Sequence, residues 1–211
     1  MARHVFVDNS NIFGGAQRAA NTLEPGTVWL AVRVYHRNLF HLIERDGDVA
    51  TRVFAGSVPP GNEALWGYAR DHGYDTDLLR RVERDDGRLV EQAVDEMLHL
   101  KIANAVLDHE PPQTLVIASG DGRESEWGTS FPGQAERALK RGWSVEVWSW
   151  EEQLTGRYRG LDHVYPGQVT VQALDPFYRS ITFINAGTYR VDGAAVTLAG
   201  RVVSTLPARG A

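Results

Sequence analysis

The chain has 211 residues, of which 43% are hydrophobic and 23% charged, with a net charge of −5 and no cysteine. That is the composition of an ordinary globular protein, and the length suits one α/β domain with at most a small appendage. Without cysteine there are no disulfides, thiolate zinc sites or thiol nucleophile, and metal binding falls to carboxylates and imidazoles.

In chain order, His4 to Val7 is a short apolar run that stops at Asp8-Asn9-Ser10-Asn11, which reads as a buried strand ending in a loop signal. Gly14-Gly15 and Pro25-Gly26 punctuate the next stretch, and the spacing of Leu30, Val34, Leu39, Leu42 and Ile43 predicts a helix from Val28 to about Ile43. Val49 to Ala55 reads as a second strand, Pro59-Pro60-Gly61-Asn62 as a turn, and the residues up to about His72 as a helix. Tyr74 to Val82 has the look of a third strand, with a turn at Asp85-Asp86-Gly87.

Arg88 to Leu107 gives the clearest helical pattern, uninterrupted by glycine or proline. Thr114 to Ala118 is a strongly apolar strand ending in Ser119-Gly120-Asp121-Gly122, followed by a helix from about Gly133 to Lys140 and a strand from Ser144 to Trp148. Alternating strands and helices predict a Rossmann-like, mostly parallel sheet with helices on both faces. After about Asp162 the pattern changes to short strand-like pieces, Ile181–Ile184, Thr188–Val191 and Val196–Val203, with Asp192-Gly193 as a hairpin turn. Residues 1–165 are thus expected to form the main domain, and 166–211 a small β-rich extension on it. No apolar run approaches the roughly 20 residues of a membrane span, and the N-terminus lacks a signal-peptide pattern; a cytoplasmic protein with no membrane partner is expected.

Two apolar strands end in aspartates, and ligands of open parallel sheets bind beyond the carboxyl ends of strands where the strand order reverses. If the strands ending at Asp8 and near Asp121 are neighbours, their carboxylates converge. Asp95, on the margin of the apolar face of the long helix, is placed to join them. Three carboxylates near one point repel each other unless a hard divalent cation binds them, and such a cation suits phosphodiester hydrolysis. The seven histidines are scattered without H-x-H or H-E-x-x-H spacing, so a zinc site is not expected and most read as surface or half-buried residues.

At these residues the chain resembles the NYN family of PIN-like ribonucleases, over roughly residues 3 to 165. The likeness is carried by Val5-Phe6-Val7-Asp8-Asn9-Ser10-Asn11-Ile12, Val94-Asp95, Val116-Ile117-Ala118-Ser119-Gly120-Asp121-Gly122 and Ala138-Leu139-Lys140-Arg141-Gly142-Trp143-Ser144-Val145-Glu146-Val147. It implies a Rossmann-like PIN/NYN fold, Mg2+ or Mn2+ held by Asp8, Asp95 and Asp121, and cleavage of RNA. Asn11 and Ser119 then position water or phosphate. Two departures stand out: Glu91-Gln92-Ala93 occupies the place of the lysine that usually precedes the helix aspartate, and Arg123 that of a common further acid. Glu124 is the candidate to replace that acid as a metal ligand, Arg123 to contact a phosphate, and Trp127, like Trp66, to stack on an unpaired base. A second subunit is the candidate to complete so open a site.

Rival readings are weaker. An aspartyl-phosphate phosphatase wants an acid two residues after its nucleophile, and Ser10 stands there. No G-x-G-x-x-G follows the first strand, which argues against dinucleotide binding. The serious alternative is a catalytically weak or inactive module of the same fold that binds RNA or protein; Arg123 and the acidic charge favour it, and the retained aspartates count against it.

Overall fold

The structure is a computed structural model that describes the chain apart from residues 46, 58–62, 77, 80–81, 84–88, 91–93, 126–127 and 208–211. The first half runs β1 (Arg3–Asp8), α1 (Asn9–Leu23), β2 (Val32–Val34), α2 (His36–Glu44), β3 (Val49–Ser57), α3 (Glu63–Asp71), β4 (Leu78–Leu79), β5 (Val82–Glu83) and β6 (Leu89–Val90). The second half runs α4 (Val94–Asp108), β7 (Thr114–Ala118), α5 (Phe131–Lys140), β8 (Ser144–Ser149), α6 (Arg157–Val164) and β9 (Val169–Ala173). It ends with α7 (Tyr178–Ile181), β10 (Thr182–Ile184), β11 (Gly187–Val191) and β12 (Ala194–Leu198).

Six strands form the main sheet in the order β4-β3-β1-β7-β8-β9, and every pairing is parallel. The fold is α/β and Rossmann-like, as the alternation of elements predicts. Successive strand residues point to opposite faces, and the central strands serve two cores. Val5, Val7, Phe54, Val116, Ala118 and Trp148 pack with buried residues of α1, α2 and α3 on one face. Phe6, Val53, Ala55, Leu115, Ile117, Val145 and Val147 pack with α4, α5 and Tyr158 of α6 on the other. Burial on both sides explains why these strands read as continuous apolar runs. Trp66, Trp143, Trp148 and Trp150 are all buried, so Trp66 is a core residue against Phe54, with ring centroids 4.8 Å apart.

Several elements differ from expectation. Asn9–Leu23 is one helix through Gly14 and Gly15: its buried residues Ile12, Gly15, Ala16, Ala19 and Ala20 make one face. A side chain at position 15 would collide with Trp150 and Gln153, so glycine there allows a close helix–sheet approach at the cost of helix propensity. The helix expected from Val28 is instead a 3-10 turn at Trp29–Ala31, strand β2 and then α2. β2 pairs antiparallel with β10, a contact between segments far apart in sequence that local periodicity cannot reveal. Among the described residues of the strand expected at Tyr74–Val82, Asp75 bridges to Val53, and β4 and the start of β5 are extended. Leu89–Val90 pairs with Val82–Glu83, so the long helix begins at Val94 rather than Arg88. The turns at Pro59–Asn62 and Asp85–Gly87 lie outside the described residues.

β9 extends the main sheet beside β8, an element that the sequence pattern did not reveal. Beyond it, β11 and β12 form the expected hairpin around Asp192-Gly193, both with positive φ, 49° and 83°. The segment is pinned to the end of α1: Glu24 accepts hydrogen bonds from Arg201 Nε at 2.9 Å and from the Tyr178 hydroxyl at 3.1 Å. Among the described residues, no helix is long and apolar enough to cross a membrane.

A buried ion cluster ties three elements at the end of the sheet away from Asp8. Glu146 Oε1 on β8 accepts from Arg3 of β1 at 3.1 Å, from Arg45 after α2 at 3.2 Å and from Trp148 Nε1 at 2.6 Å. Removing one member of such a cluster strands the remaining charges. Glu146→Ala is expected to lower unfolding stability by about 3 kcal/mol, read from urea denaturation; a loss under about 1 kcal/mol would show that water already screens the two arginines.

Candidate active site at the carboxyl ends of β1 and β7

Strand β1 lies at the centre of the sheet, and the chain builds outward from it first through β3 and β4 and then, on the other side, through β7, β8 and β9. The reversal therefore falls between β1 and β7, the place beyond the carboxyl ends of the strands where open parallel sheets bind ligands. Asp8 is the last residue of β1, and Ser119 directly follows β7.

The Asp8 carboxylate is buried, and each oxygen has a defined partner. Oδ1 accepts from the Asn11 backbone N–H at 3.0 Å, so Asp8 caps the N-terminus of α1. Oδ2 accepts from the Ser119 hydroxyl at 3.0 Å. One side chain thus both caps α1 and holds the loop after β7. Asn11 Oδ1 accepts from the Gly120 N–H at 3.0 Å, and Asn9 Oδ1 is paired with His36 Nε2 at 2.8 Å. The segment that links β1 to α1 therefore grips the loop after β7 and the start of α2.

That loop is pressed onto the segment after β8. Gly120 could carry no side chain, because a Cβ would collide with Ser149 and the Gln153 carbonyl; one at Gly122 would collide with Thr155. The Thr155 N–H donates to the Gly120 carbonyl at 3.1 Å, and Arg157 donates to the Gly122 carbonyl at 3.1 Å. The path links Asp121 to Asp8 through Ser119, whose hydroxyl donates to Asp8 and accepts from the Asp121 N–H at 3.3 Å.

Asp121 is held by Arg123. The guanidinium donates from Nη2 at 2.7 Å and from Nε at 2.9 Å to Oδ2, and the Arg123 N–H donates to Oδ1 at 2.8 Å. The carboxylate is only 10% exposed, whereas its arginine is 84% exposed. Burial pushes the Asp121 pKa up, but the hydrogen bonds and charge of Arg123 outweigh it, and the net result is a lowered value. Hydrogen bonding and charge from Asp121 raise the Arg123 pKa, and the charges of Asp95 and Asp8 add to the effect. One guanidinium thus feels all three aspartates singled out from the sequence.

The remaining sites are less closely joined. Asp95 is half-buried in the first turn of α4. Glu124 is exposed and its carboxylate lies near Gly128, 3.6 Å from where a Cβ would stand. Trp127 lies outside the described residues. Among the described residues, no three of His, Asp and Glu stand together as a group able to hold a metal ion. The donor set is therefore right in kind for a hard cation, all carboxylate oxygen, but Arg123 occupies Asp121 in this arrangement.

Two neighbours escaped the sequence reading. His99 is buried, not a surface residue; its Nδ1 is hydrogen-bonded to Thr129 Oγ1 at 2.9 Å, and burial lowers its pKa while the charges of Glu96 and Asp121 oppose the shift. It lies one helical turn after Asp95, a spacing that puts both on one side of α4. Tyr158 is fully buried in α6, an element with no clear signal in the sequence. His4 and His36 are buried as well.

No protein-family model matches this chain, and no curated protein matches it. Its structure is similar to the crystal structure of a protein of unknown function from Vibrio parahaemolyticus, with a TM-score of 0.58 and 14% sequence identity over 82% of this chain and 94% of that one. At that identity the likeness shows the fold alone.

His36, hydrogen-bonded to Asn9 at one side of the site, makes this region sensitive to acid. Burial lowers its pKa from 6.5 to about 4, against a small opposing contribution from the Val34 backbone. The unfolded chain then binds the proton more readily, so the stability from neutral His36 is complete above about pH 6.5 and is lost as pH falls towards 4, by on the order of 3 kcal/mol. Chemical denaturation between pH 7 and 4 is expected to show this loss together with that from His4, whose pKa burial also lowers to about 4, and His36→Gln to make the dependence shallower by its own share. An equally steep loss in His36→Gln would assign the acid sensitivity elsewhere.

Proposed function

We propose that the protein is a metal-dependent ribonuclease whose acidic crevice holds Mg2+ or Mn2+. The observation that carries the reading is the placement of Asp8 and Asp121 at the ends of adjacent parallel strands, joined through Ser119 at the point where the strand order reverses. This is where an open sheet binds ligands, and paired carboxylates there have more use in holding a cation than in packing.

A divalent cation, when bound, supplies Lewis acidity that lowers the pKa of water and offsets charge on a phosphoryl group. Asp8 and Asp121 would hold it, with Asp95 adding negative charge from the α4 side. Asn11 is kept in place by the Gly120 N–H, and Ser119 by Asp8; both stand where they can orient water or a phosphate oxygen. Arg123 has two stations. It neutralises Asp121 without substrate, and its exposed fork is suited to bidentate contact with a phosphodiester when Asp121 turns to the cation. RNA, rather than nucleic acid in general, rests on the NYN resemblance of the Asp8, Asp95 and Ser119–Asp121 motifs.

A second reading is favoured by the Arg123–Asp121 pair itself: a permanent ion pair leaves no cation site, and the fold then serves as an RNA- or protein-binding module. The two are separated by incubating a mixed-sequence single-stranded RNA with Mn2+, Mg2+ or EDTA. The nuclease reading expects cleavage with metal and none with EDTA. Asp8→Asn is a clean variant because asparagine also caps helices, and Asp121→Asn is nearly isosteric. Each is expected to lower cleavage at least about 100-fold, the upper end of what losing an outer-shell partner costs a metal site, with the fold retained. Well-folded wild-type protein that cleaves nothing with either metal would leave the binding module.

A further inference from the structure

Helices α2 and α3 meet through a set of near-parallel rings. Phe40 of α2 stacks on Tyr74 with ring centroids 4.2 Å apart. Tyr68 and His72 of α3 lie 6.1 and 5.7 Å from Phe40, at interplanar angles of 8° and 26°. They are 5.9 Å from each other and 21° from parallel. Phe40 and Tyr74 are buried, whereas Tyr68 is half-buried and the His72 side chain is 41% exposed. A buried stack thus backs two rings that reach solvent.

Residues four apart share one face of a helix. Tyr68 and His72 are so placed on α3, and Arg37 and His41 on α2. Together with Asn38 they line one pocket of about 540 Å3, within the roughly 300–1,000 Å3 of small-ligand sites. The α3 side is aromatic and the α2 side is basic. Arg37 is exposed and has no hydrogen bond or ion pair among the described residues. It stands in the first turn of α2, where the helix dipole disfavours a cation, so its charge does not serve the helix. Glu44, the carboxylate that reaches His72 at 3.8 Å, is already held by Arg52 at 3.1 and 3.3 Å.

An aromatic platform beside a guanidinium is the combination that holds an unpaired nucleotide. Every base has a π face to stack, and a guanidinium fork fits a phosphate. A bare anion has no use for the two rings, and an apolar ligand none for Arg37. The bases of a duplex are stacked inside it and cannot reach the platform. The pocket is also tied to the acidic site: His36, the residue before Arg37, is bonded at 2.8 Å to Asn9, which follows Asp8.

We propose that the α2–α3 pocket binds one unpaired nucleotide of a single-stranded RNA, with its base stacked on Tyr68 and His72 and its phosphate on Arg37. The choice of RNA rests on the ribonuclease reading; the stacking and phosphate contacts rest on the pocket.

The test is fluorescence anisotropy of a labelled single-stranded oligoadenylate, titrated in EDTA so that binding is read without cleavage. Tyr68→Leu is expected to weaken binding about tenfold, within the range for one stacked base, and Tyr68→Phe, which keeps the ring, to stay within about twofold of wild type. Arg37→Ala is expected to weaken binding and to lower the slope of log Kd against log salt by about 0.7, the share of one phosphate on a single strand. Because Arg37 is exposed, that variant keeps its fold even if Tyr68→Leu does not. Wild-type binding by either Tyr68→Leu or Arg37→Ala overturns the proposal, as does a loss in Tyr68→Phe equal to that in Tyr68→Leu, or wild-type protein that binds no oligoadenylate. Binding that depends on Arg37 and Tyr68 in a protein that cleaves nothing with metal refutes the nuclease reading alone. Metal-dependent cleavage with binding unchanged in both variants refutes the pocket alone.

Discussion

The carboxylate of Asp8 is almost fully removed from water, and a charge so placed must be compensated by close donors. The sequence around it provides them. The N-terminal N–H groups of α1 are available because Asp8 ends the strand and starts the helix, and the Ser119 hydroxyl is available because β7 ends level with β1. The same carboxylate therefore fixes the helix start, the register of two central strands and the loop that carries Asp121. Asn11 and Asn9 extend the grip to the Gly120 backbone and to His36. The region is stable as a unit because its polar atoms are shared between segments that are distant in sequence.

Arg123 is the second organising charge. A guanidinium that neutralises Asp121 while lying mostly in solvent is cheap to move, since exposed ion pairs contribute little and lose side-chain entropy when they form. The Asp121 carboxylate, nearly buried, is costly to leave without a cation. Under the proposed function, this asymmetry is what would let Arg123 give way to a divalent cation.

How much of this was legible depended on whether the information was local. Apolar runs ending in Asp8 and in Ser119-Gly120-Asp121 disclosed the two central strands and the aspartates at their ends, because a strand buried on both faces needs no partner to be recognised. Helix α1 was hidden by Gly14-Gly15 in its middle; the reason for Gly15, the close approach of Trp150 and Gln153, is tertiary. β2 was hidden for the same cause, since its partner β10 comes from the end of the chain. His99 was available from its spacing after Asp95, but the pattern of scattered histidines argued for surface. Tyr158 had no signal, because the helix α6 that buries it had none. Glu146, read as part of a strand motif, is instead the anion that gathers Arg3 and Arg45 at the opposite end of the sheet.

The central claim is that the acids at the ends of β1 and β7 form a cation site in which Arg123 is the resident cation. Titration with Mn2+, followed by the electron paramagnetic resonance signal of the free ion, tests this most directly in wild type and Arg123→Ala. The account predicts binding to both proteins, tighter in Arg123→Ala because no guanidinium competes for Asp121, and loss of that site in Asp121→Asn. Binding to neither protein, or equal binding that persists in Asp121→Asn, would contradict it.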